Sequence, residues 1–364
     1  MTALLTDALG YSEQERDQLG AASPGALYTA DSVLERERSR LFSRSWSIVA
    51  PSEELADPGS YATTVSGGAP LLVVRDLEGT LRAFHNVCRH RGITLLEGSG
   101  SLGRYMTCPY HQWSYSLEGE LARVPQQDDQ FPGLAPCGLG LHRAQVDEWR
   151  GLVLVNPAAE SLALRDALAG LDARLDHFLS GPLREVAKVE YEAACNWKLL
   201  VENHIDVYHL WYLHARSLAG YEHRSFAWES LGDNWWSTEP LKDPASAEGG
   251  AFAWLDEHER HRIGAHLLFP NLMLVTTDQY FATYDANPLS PGRTRLTLRV
   301  RATGNADAAG LVRSISAFMS EDVQACERLQ IGAGSPHFGV GPTARSHEEP
   351  IRRFHRSLRH WVLP

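Results

Sequence analysis

Residues 88–92, Cys-Arg-His-Arg-Gly, and residues 108–115, Cys-Pro-Tyr-His-Gln-Trp-Ser-Tyr, decide how the first half of this chain folds. Cys88-x-His90 and Cys108-x-x-His111 offer two thiolates and two imidazoles from two loops of one small unit. Such a set suits tetrahedral zinc or a binuclear iron–sulfur cluster in which two imidazoles replace two thiolates on one iron. Imidazole carries less negative charge than thiolate, so the second option raises the potential of a one-electron centre to roughly −150 to +300 mV. Zinc would make the loops a structural knuckle. A cluster would make the chain a station for electrons.

The flanking residues favour the cluster. Arg91-Gly92 follow the first pair and Gln112-Trp113-Ser114-Tyr115 follow the second. Together they resemble the Rieske fingerprint Cys-x-His-Arg-Gly … Cys-Pro-Tyr-His-x-Trp-x-Tyr. Gln112 departs from the usual pattern, which has Gly there, because a small residue lets a loop approach a cluster closely. The departure removes no ligand.

Around these loops the composition is that of a globular protein: 364 residues, 43% hydrophobic, long enough for two domains. The opening residues are polar and carry charges, unlike a secretory leader, and no apolar run approaches the roughly 20 residues of a membrane span. Beyond Cys88 and Cys108, the cysteines Cys137, Cys195 and Cys326 show no pairing rhythm, as expected in a reducing, cytoplasmic compartment. A net charge of −11 argues against nucleic-acid partners, which need basic patches.

The pattern divides the chain into a lead-in at 1–39, a β-rich domain at 40–157 and a second domain at 158–364. Leu71–Arg75 and Gly151–Val155 are short apolar runs bounded by turn residues, as strands are. Asp57-Pro58-Gly59 and Glu118-Gly119 supply turns. From Leu162 to Leu179 the apolar residues take helical spacing. Leu267–Tyr284 and Thr294–Val300 read as strands of one antiparallel sheet turning at 288–292.

Asn196 to His214 reads as one long helix, Asn-Trp-Lys-Leu-Leu-Val-Glu-Asn-His-Ile-Asp-Val-Tyr-His-Leu-Trp-Tyr-Leu-His. Helical arithmetic places Glu202, Asp206, His209 and Leu213 on one face, with His204 almost opposite. His209 and His214 are splayed by about 140° on an ideal helix; a π-bulge or a break would bring them together. Two His and one carboxylate on one side of an iron make a mononuclear oxygenase site with open positions for O₂. The carboxylate is sought on the amphipathic helix Leu311–Leu329, whose apolar side carries Leu311, Ile315, Phe318, Cys326 and Leu329. Asp322 falls on that side, where an unpaired carboxylate is costly; Glu321 and Glu327 fall toward the polar side.

In this order, Trp46, the two cluster motifs, Asn196-Trp197-Lys198, Glu202-Asn203-x-x-Asp206-x-Tyr208-His209-x₄-His214, Phe269-Pro270-Asn271 and Glu321-Asp322-x₄-Glu327-x-x-Gln330 resemble the α-subunit of Rieske non-haem iron oxygenases of the aromatic ring-hydroxylating type, from about residue 40 to the end. The resemblance implies an α+β protein: an N-terminal β-rich Rieske domain, then a C-terminal helix-grip (START-like) catalytic domain with an antiparallel sheet. It implies that Cys88 and Cys108 hold one iron of a [2Fe–2S] cluster and His90 and His111 the other. His209, His214 and Asp322 would hold Fe(II). Asp206 would be a catalytic residue, bonded to His209 and, across a subunit interface, to His111 of a neighbouring chain in a homotrimer. Electrons would come from NAD(P)H through a reductase, directly or by way of a ferredoxin, with O₂ as co-substrate and a small molecule as substrate.

The substrate is less legible, because pocket shape rather than fold sets it. Trp211, Tyr212, Trp228, Trp235, Trp236 and Trp254 either build an aromatic cage for a quaternary ammonium ion or pack as core. The helix motif looks closer to betaine- and carnitine-type monooxygenases than to naphthalene-type dioxygenases, and a monooxygenase is expected. The alternatives are a ring-dihydroxylating dioxygenase, a Rieske electron carrier without catalytic iron, and a zinc-stabilised ligand-binding protein.

Overall fold

The computed structural model describes residues 9–135, 137–244, 252–257, 259–339 and 341–363. It divides into two compact units. One is Phe42–Leu164; the other joins the segment through Leu41 to Arg165–Pro364. The expected lead-in thus packs with the C-terminal half, while the first eight residues lie outside the described range.

In the Phe42–Leu164 unit a seven-stranded sheet runs in the order Ser47–Pro51, Leu152–Asn156, Arg143–Trp149, Leu81–His85, Ala69–Arg75, Ser60–Ser66, Ser99–Ser101. A three-stranded sheet is formed by Tyr105–Thr107, Ser114–Ser116 and Leu121–Arg123. Leu71 to Val74 are all fully buried, so this strand carries apolar side chains on both faces rather than alternating. The two cysteine–histidine loops are the connections that follow the strands Leu81–His85 and Tyr105–Thr107.

The other unit is built on a seven-stranded antiparallel sheet. Its order is Arg184–Ala193, Arg293–Ala302, Phe281–Ser290, Leu272–Thr276, Arg262–Leu268, Asn234–Pro240, Ala227–Leu231. Its longer helices are α1 (Glu13–Leu19), α2 (Asp31–Arg40), α3 (Trp197–Ile205), α4 (Ala308–Ala333) and α5 (Glu349–Val362). The central strand Leu272–Thr276 is buried at every position, and α4 packs on α3, on the edge strand Arg184–Ala193 and on its neighbour Arg293–Ala302.

Three expectations need correction. The helix at 196–214 is short: α3 ends at Ile205, and His209 lies in a separate 3₁₀ turn, Tyr208–Trp211. The helical stretch at 162–179 is two short helices, Leu164–Leu168 and Leu171–Leu175, parted by Ala169 and Gly170 at positive φ. On α4, Ile315 and Cys326 are buried as expected, but Leu329 is 50% exposed.

Several motif residues prove to be framework. Asn196 caps α3 by accepting from the Lys198 N–H, and its Nδ2 donates to the carbonyls of Tyr28 and Pro291. Trp197 Nε1 donates to Glu37 Oε2 at 2.8 Å, and Lys198 Nζ lies 2.5 Å from Glu37 Oε1. Gln330 accepts from the Asn196 N–H, and Glu327 from that of Ala194. Glu202 accepts hydrogen bonds from Tyr28 OH and from His355 Nε2, both at 2.9 Å, tying α3 to segments near both ends of the chain. In the other unit Trp46 is buried and donates from Nε1 to the Leu162 carbonyl.

Candidate active site

The two cysteine–histidine loops close in the same way. The Cys88 N–H donates to the Ile93 carbonyl at 2.8 Å, and the Gly92 N–H to the Cys88 carbonyl at 2.9 Å. The Cys108 N–H donates to the Trp113 carbonyl at 2.8 Å, and the Gln112 N–H to the Cys108 carbonyl at 3.1 Å. Each loop needs one residue at positive φ, Gly92 at 76° and Gln112 at 59°. Asn86 pins the first loop by accepting from the N–H groups of Leu95 and Leu96 and donating to the Leu96 carbonyl.

The rings that these loops present are held by stacking. His90 stacks on Trp113 at 4.7 Å and meets His111 edge-on at 4.7 Å. Tyr115, fully buried, places its hydroxyl 3.4 Å from Cys88 Sγ and receives the Arg89 N–H at 3.0 Å. Burial, His111 and Arg91 all lower the pKa of His90, which keeps its imidazole neutral, as a metal ligand must be. Its buried Nδ1 has no hydrogen-bond partner among the described residues. A buried, orphaned imidazole nitrogen beside two buried cysteines fits an iron–sulfur cluster held by these loops.

In the other unit the chain leaves α3 at Asp206, which is extended at φ −81°, ψ 129°. Asp206 Oδ1 accepts the Tyr208 N–H at 2.6 Å, and Oδ2 lies 3.1 Å from His209 Nδ1. The 3₁₀ turn and the following turn then bring His214 round, so the two imidazole centroids stand 5.1 Å apart. Asp322 comes from α4. Its Oδ1 lies 2.8 Å from His214 Nε2 and 3.5 Å from His209 Nε2. One ligand atom from each of His209, His214 and Asp322 lies within 4.8 Å of the other two.

The outer nitrogens of both imidazoles face carboxylates. Asp206 takes Nδ1 of His209, and Glu321 Oε2 lies 2.8 Å from Nδ1 of His214. Ser217 donates to the same Glu321 oxygen at 2.6 Å. An Nδ1–H given to a carboxylate leaves the Nε2 lone pair facing inward, the tautomer a metal requires. Ser217 was not picked out from the sequence, and Glu321, though part of the quoted motif, was given no role there. Glu321 sits one residue from Asp322, about 100° round the helix, where periodicity assigns it to solvent.

Burial works to lower His209, but hydrogen bonds to Asp206 and Asp322 outweigh it and raise the pKa to about 9. Burial works to raise Asp322, but the two imidazoles outweigh it and lower it. The centre therefore favours positive charge, whether carried by protons or by a metal. Two imidazoles and one carboxylate beside an open cavity suit a non-haem iron(II). His204 takes no part: its Nε2 meets the His266 carbonyl at 2.9 Å.

The adjoining cavity is lined by Leu218, Phe226, Trp235, Ser237, Glu239 and Phe318, among others. Of the six aromatic residues read as either an ammonium cage or core packing, Trp235 lines it. Trp228 stacks on Trp235, Trp211 packs edge-on against His223, Trp254 stacks on Phe252, and Tyr212 is exposed. Among the described residues no helix is long and apolar enough to cross a membrane.

Comparison with known proteins agrees with this architecture. Residues 45–139 match the Rieske [2Fe–2S] domain, and residues 181–363 match the ring hydroxylating alpha subunit (catalytic domain). The carnitine monooxygenase oxygenase subunit of Acinetobacter baumannii is 33% identical over 217 residues, covering 59% of this chain and 56% of that protein. The chain thus spans about half the length of that relative. Chloroplastic choline monooxygenase of Spinacia oleracea is 28% identical over 346 residues, covering 91% of this chain and 76% of that one. The crystal structure of the quaternary ammonium Rieske monooxygenase CntA with L-carnitine superposes with a TM-score of 0.80 at 24% identity, covering 93% of this chain and 95% of that one. That likeness carries the fold. With the catalytic-domain match spanning half of its length, the chain belongs to the ring-hydroxylating oxygenase α-subunit family, with a Rieske [2Fe–2S] domain ahead of the catalytic domain and a catalytic iron of the non-haem type.

Proposed function

We propose that this protein is a terminal oxygenase that uses O₂ and electrons from its cluster to monooxygenate a small amine, by hydroxylation or N-demethylation. The convergence of His209, His214 and Asp322 on one point beside a cavity carries the reading. Residues 40–157 form the electron-accepting domain, with Cys88 and Cys108 on one iron of the cluster and His90 and His111 on the other. Residues 158–364 form the catalytic domain, with His209, His214 and Asp322 as ligands of Fe(II). Relatives named for carnitine and choline oxidation support an amine as substrate. A reductase drawing on NAD(P)H, directly or through a ferredoxin, supplies electrons to a cytoplasmic homotrimer.

When bound, the iron supplies binding and reductive activation of O₂. The chain does the positioning. Asp206 and Glu321 fix the tautomers of His209 and His214, and Asp322 closes the third ligand position. Asp206 also links His209 to His111 of a neighbouring subunit, on this reading. Phe226, Trp235 and Phe318 limit water in the cavity beside the centre.

Asp322→Ala tests the assignment. Iron should fall from three to two per chain while the visible spectrum of the cluster persists. Glu321→Ala should keep three irons but bind the third about 10- to 100-fold more weakly, as loss of an orienting partner does. If Glu321→Ala alone abolishes the third iron, the ligand is Glu321. A single turnover of reduced protein with N-methylated amines should release formaldehyde or an oxygenated amine; oxygen gained only on aromatic rings would overturn the amine reading.

A further inference from the structure

The lining of the cavity carries an acidic group that the chemistry above does not use. Glu239, on the strand Asn234–Pro240, is 5% exposed and lines the cavity together with Phe226, Trp235 and Ser237. Its Oε2 lies 2.6 Å from His223 Nδ1, and among the described residues His223 is the only hydrogen-bond partner of its side chain. His223 is itself buried and held edge-on by Trp211.

The lining holds no permanently charged cation among the described residues. Asp206, Asp322 and Glu239 contribute carboxylates, while His204, His209 and His214 contribute imidazoles; no lysine or arginine lines the cavity among the described residues. Arg174 and Arg353 lie over Trp236 and Trp228 and are not part of it. Asp206 is engaged by His209, and Asp322 belongs to the metal centre. Glu239 is therefore the carboxylate left to face a ligand. A buried carboxylate with one imidazole partner is poorly compensated, and Phe226 and Trp235 add aromatic rings, the side chains that attract a desolvated cation, to the same lining. The Trp235 Nε1–H, buried and without a partner among the described residues, adds a neutral donor for a ligand oxygen.

We propose that Glu239 anchors the ammonium group of the substrate, and that the cavity selects small cationic amines without a carboxylate over zwitterionic ones. The inference rests on the amine-oxygenase reading and narrows it. An ammonium group gains the Glu239 charge in this cavity, whereas a ligand carboxylate meets no lysine or arginine in the lining.

Direct binding to the iron-loaded protein, by titration calorimetry, tests this with three probes: choline, L-carnitine and the neutral isostere 3,3-dimethyl-1-butanol. Choline should bind roughly tenfold or more tighter than either of the others. Glu239→Gln should weaken choline by a similar factor and leave the isostere unchanged; Glu239→Asp, which keeps the charge, should retain most of the choline affinity. Equal loss of choline and isostere would make Glu239 a structural residue and overturn the proposal. So would L-carnitine binding as tightly as choline. If Glu239→Gln fails to fold, the aspartate variant decides: choline binding retained supports the anchor, and choline lost together with the isostere overturns it. L-carnitine bound and oxidised regardless of Glu239 would refute the anchor but leave the amine reading intact. Binding of the neutral isostere with no cation or zwitterion bound would refute both.

Discussion

Gly92 and Gln112 hold the same place in two loops that close alike, and both lie in the left-handed region. Glycine enters that region freely, whereas a residue with a Cβ pays roughly 1–2 kcal/mol. Gln112 gains only a long contact from its Nε2 to the Cys108 carbonyl, at 3.4 Å. Gln112→Gly is therefore expected to raise stability by about 1 kcal/mol and to keep the cluster. Thermal unfolding followed at the visible bands of the cluster checks it, and a lower midpoint would show that Gln112 does more than tolerate its backbone. The four candidate cluster donors stood out in the sequence because cysteine and histidine are rare and their spacing is local. Asp322 was legible as an acid on an apolar stripe. Glu321 was not, since an acid at the edge of a helix is ordinary until an imidazole from another segment is known to reach it. Glu239 gave no signal either: its strand, Asn-Trp-Trp-Ser-Thr-Glu-Pro, shows no pattern that singles out an acid.

At the scale of elements, the end of α3 is what assembles the candidate iron site. Periodicity continued the helix to His214, but Asp206 takes the Tyr208 N–H two residues on. Asp and Asn side chains favour this local bond, and it competes with the helical ladder. A side chain that bonds its own backbone leaves no trace in a hydrophobic pattern, so the break was readable only as a requirement of bringing two histidines together. The start of α3 is secured by the pair Glu37–Lys198, both almost fully buried. Removing one member of a buried pair typically costs about 3–5 kcal/mol because the other charge is stranded. Glu37→Leu should lose that much in denaturant unfolding, and Lys198→Met added to it should recover most of the loss. Equal destabilisation in the single and double variants would show that Trp197, which also donates to Glu37, dominates the contact.

For the whole molecule, acid is the predicted weakness. Burial pushes His204 down to about 4 and His266 down to about 3. His266 accepts the Ser237 N–H at Nδ1 and meets Thr276 through Nε2, a pattern that needs the neutral ring. The unfolded chain takes up a proton at each site below an ordinary value near 6.5, while the folded chain resists. Their contribution is thus complete above about pH 6.5 and falls away as the pH drops toward 4, by a few kcal/mol in all. The thermal midpoint should fall between pH 7.5 and pH 5, and His204→Gln with His266→Gln should flatten that slope; an unchanged slope would refute it. In the two seven-stranded sheets the runs Leu71–Arg75, Gly151–Val155, Leu267–Tyr284 and Thr294–Val300 and the turn at 288–292 were legible, whereas the strand order was not. The membership of residues before Leu41 in the second unit was not legible, because amphipathic spacing tells which face is buried but not against what. That membership has a consequence for how the protein is made. Glu37 emerges from the ribosome 161 positions before Lys198, a delay of roughly 10 to 30 seconds at ordinary elongation rates. Through that interval Phe42–Leu164 is synthesised whole, while α2 waits in water for a partner that does not yet exist. The catalytic unit is finished only when the segments on both sides of Phe42–Leu164 have been made.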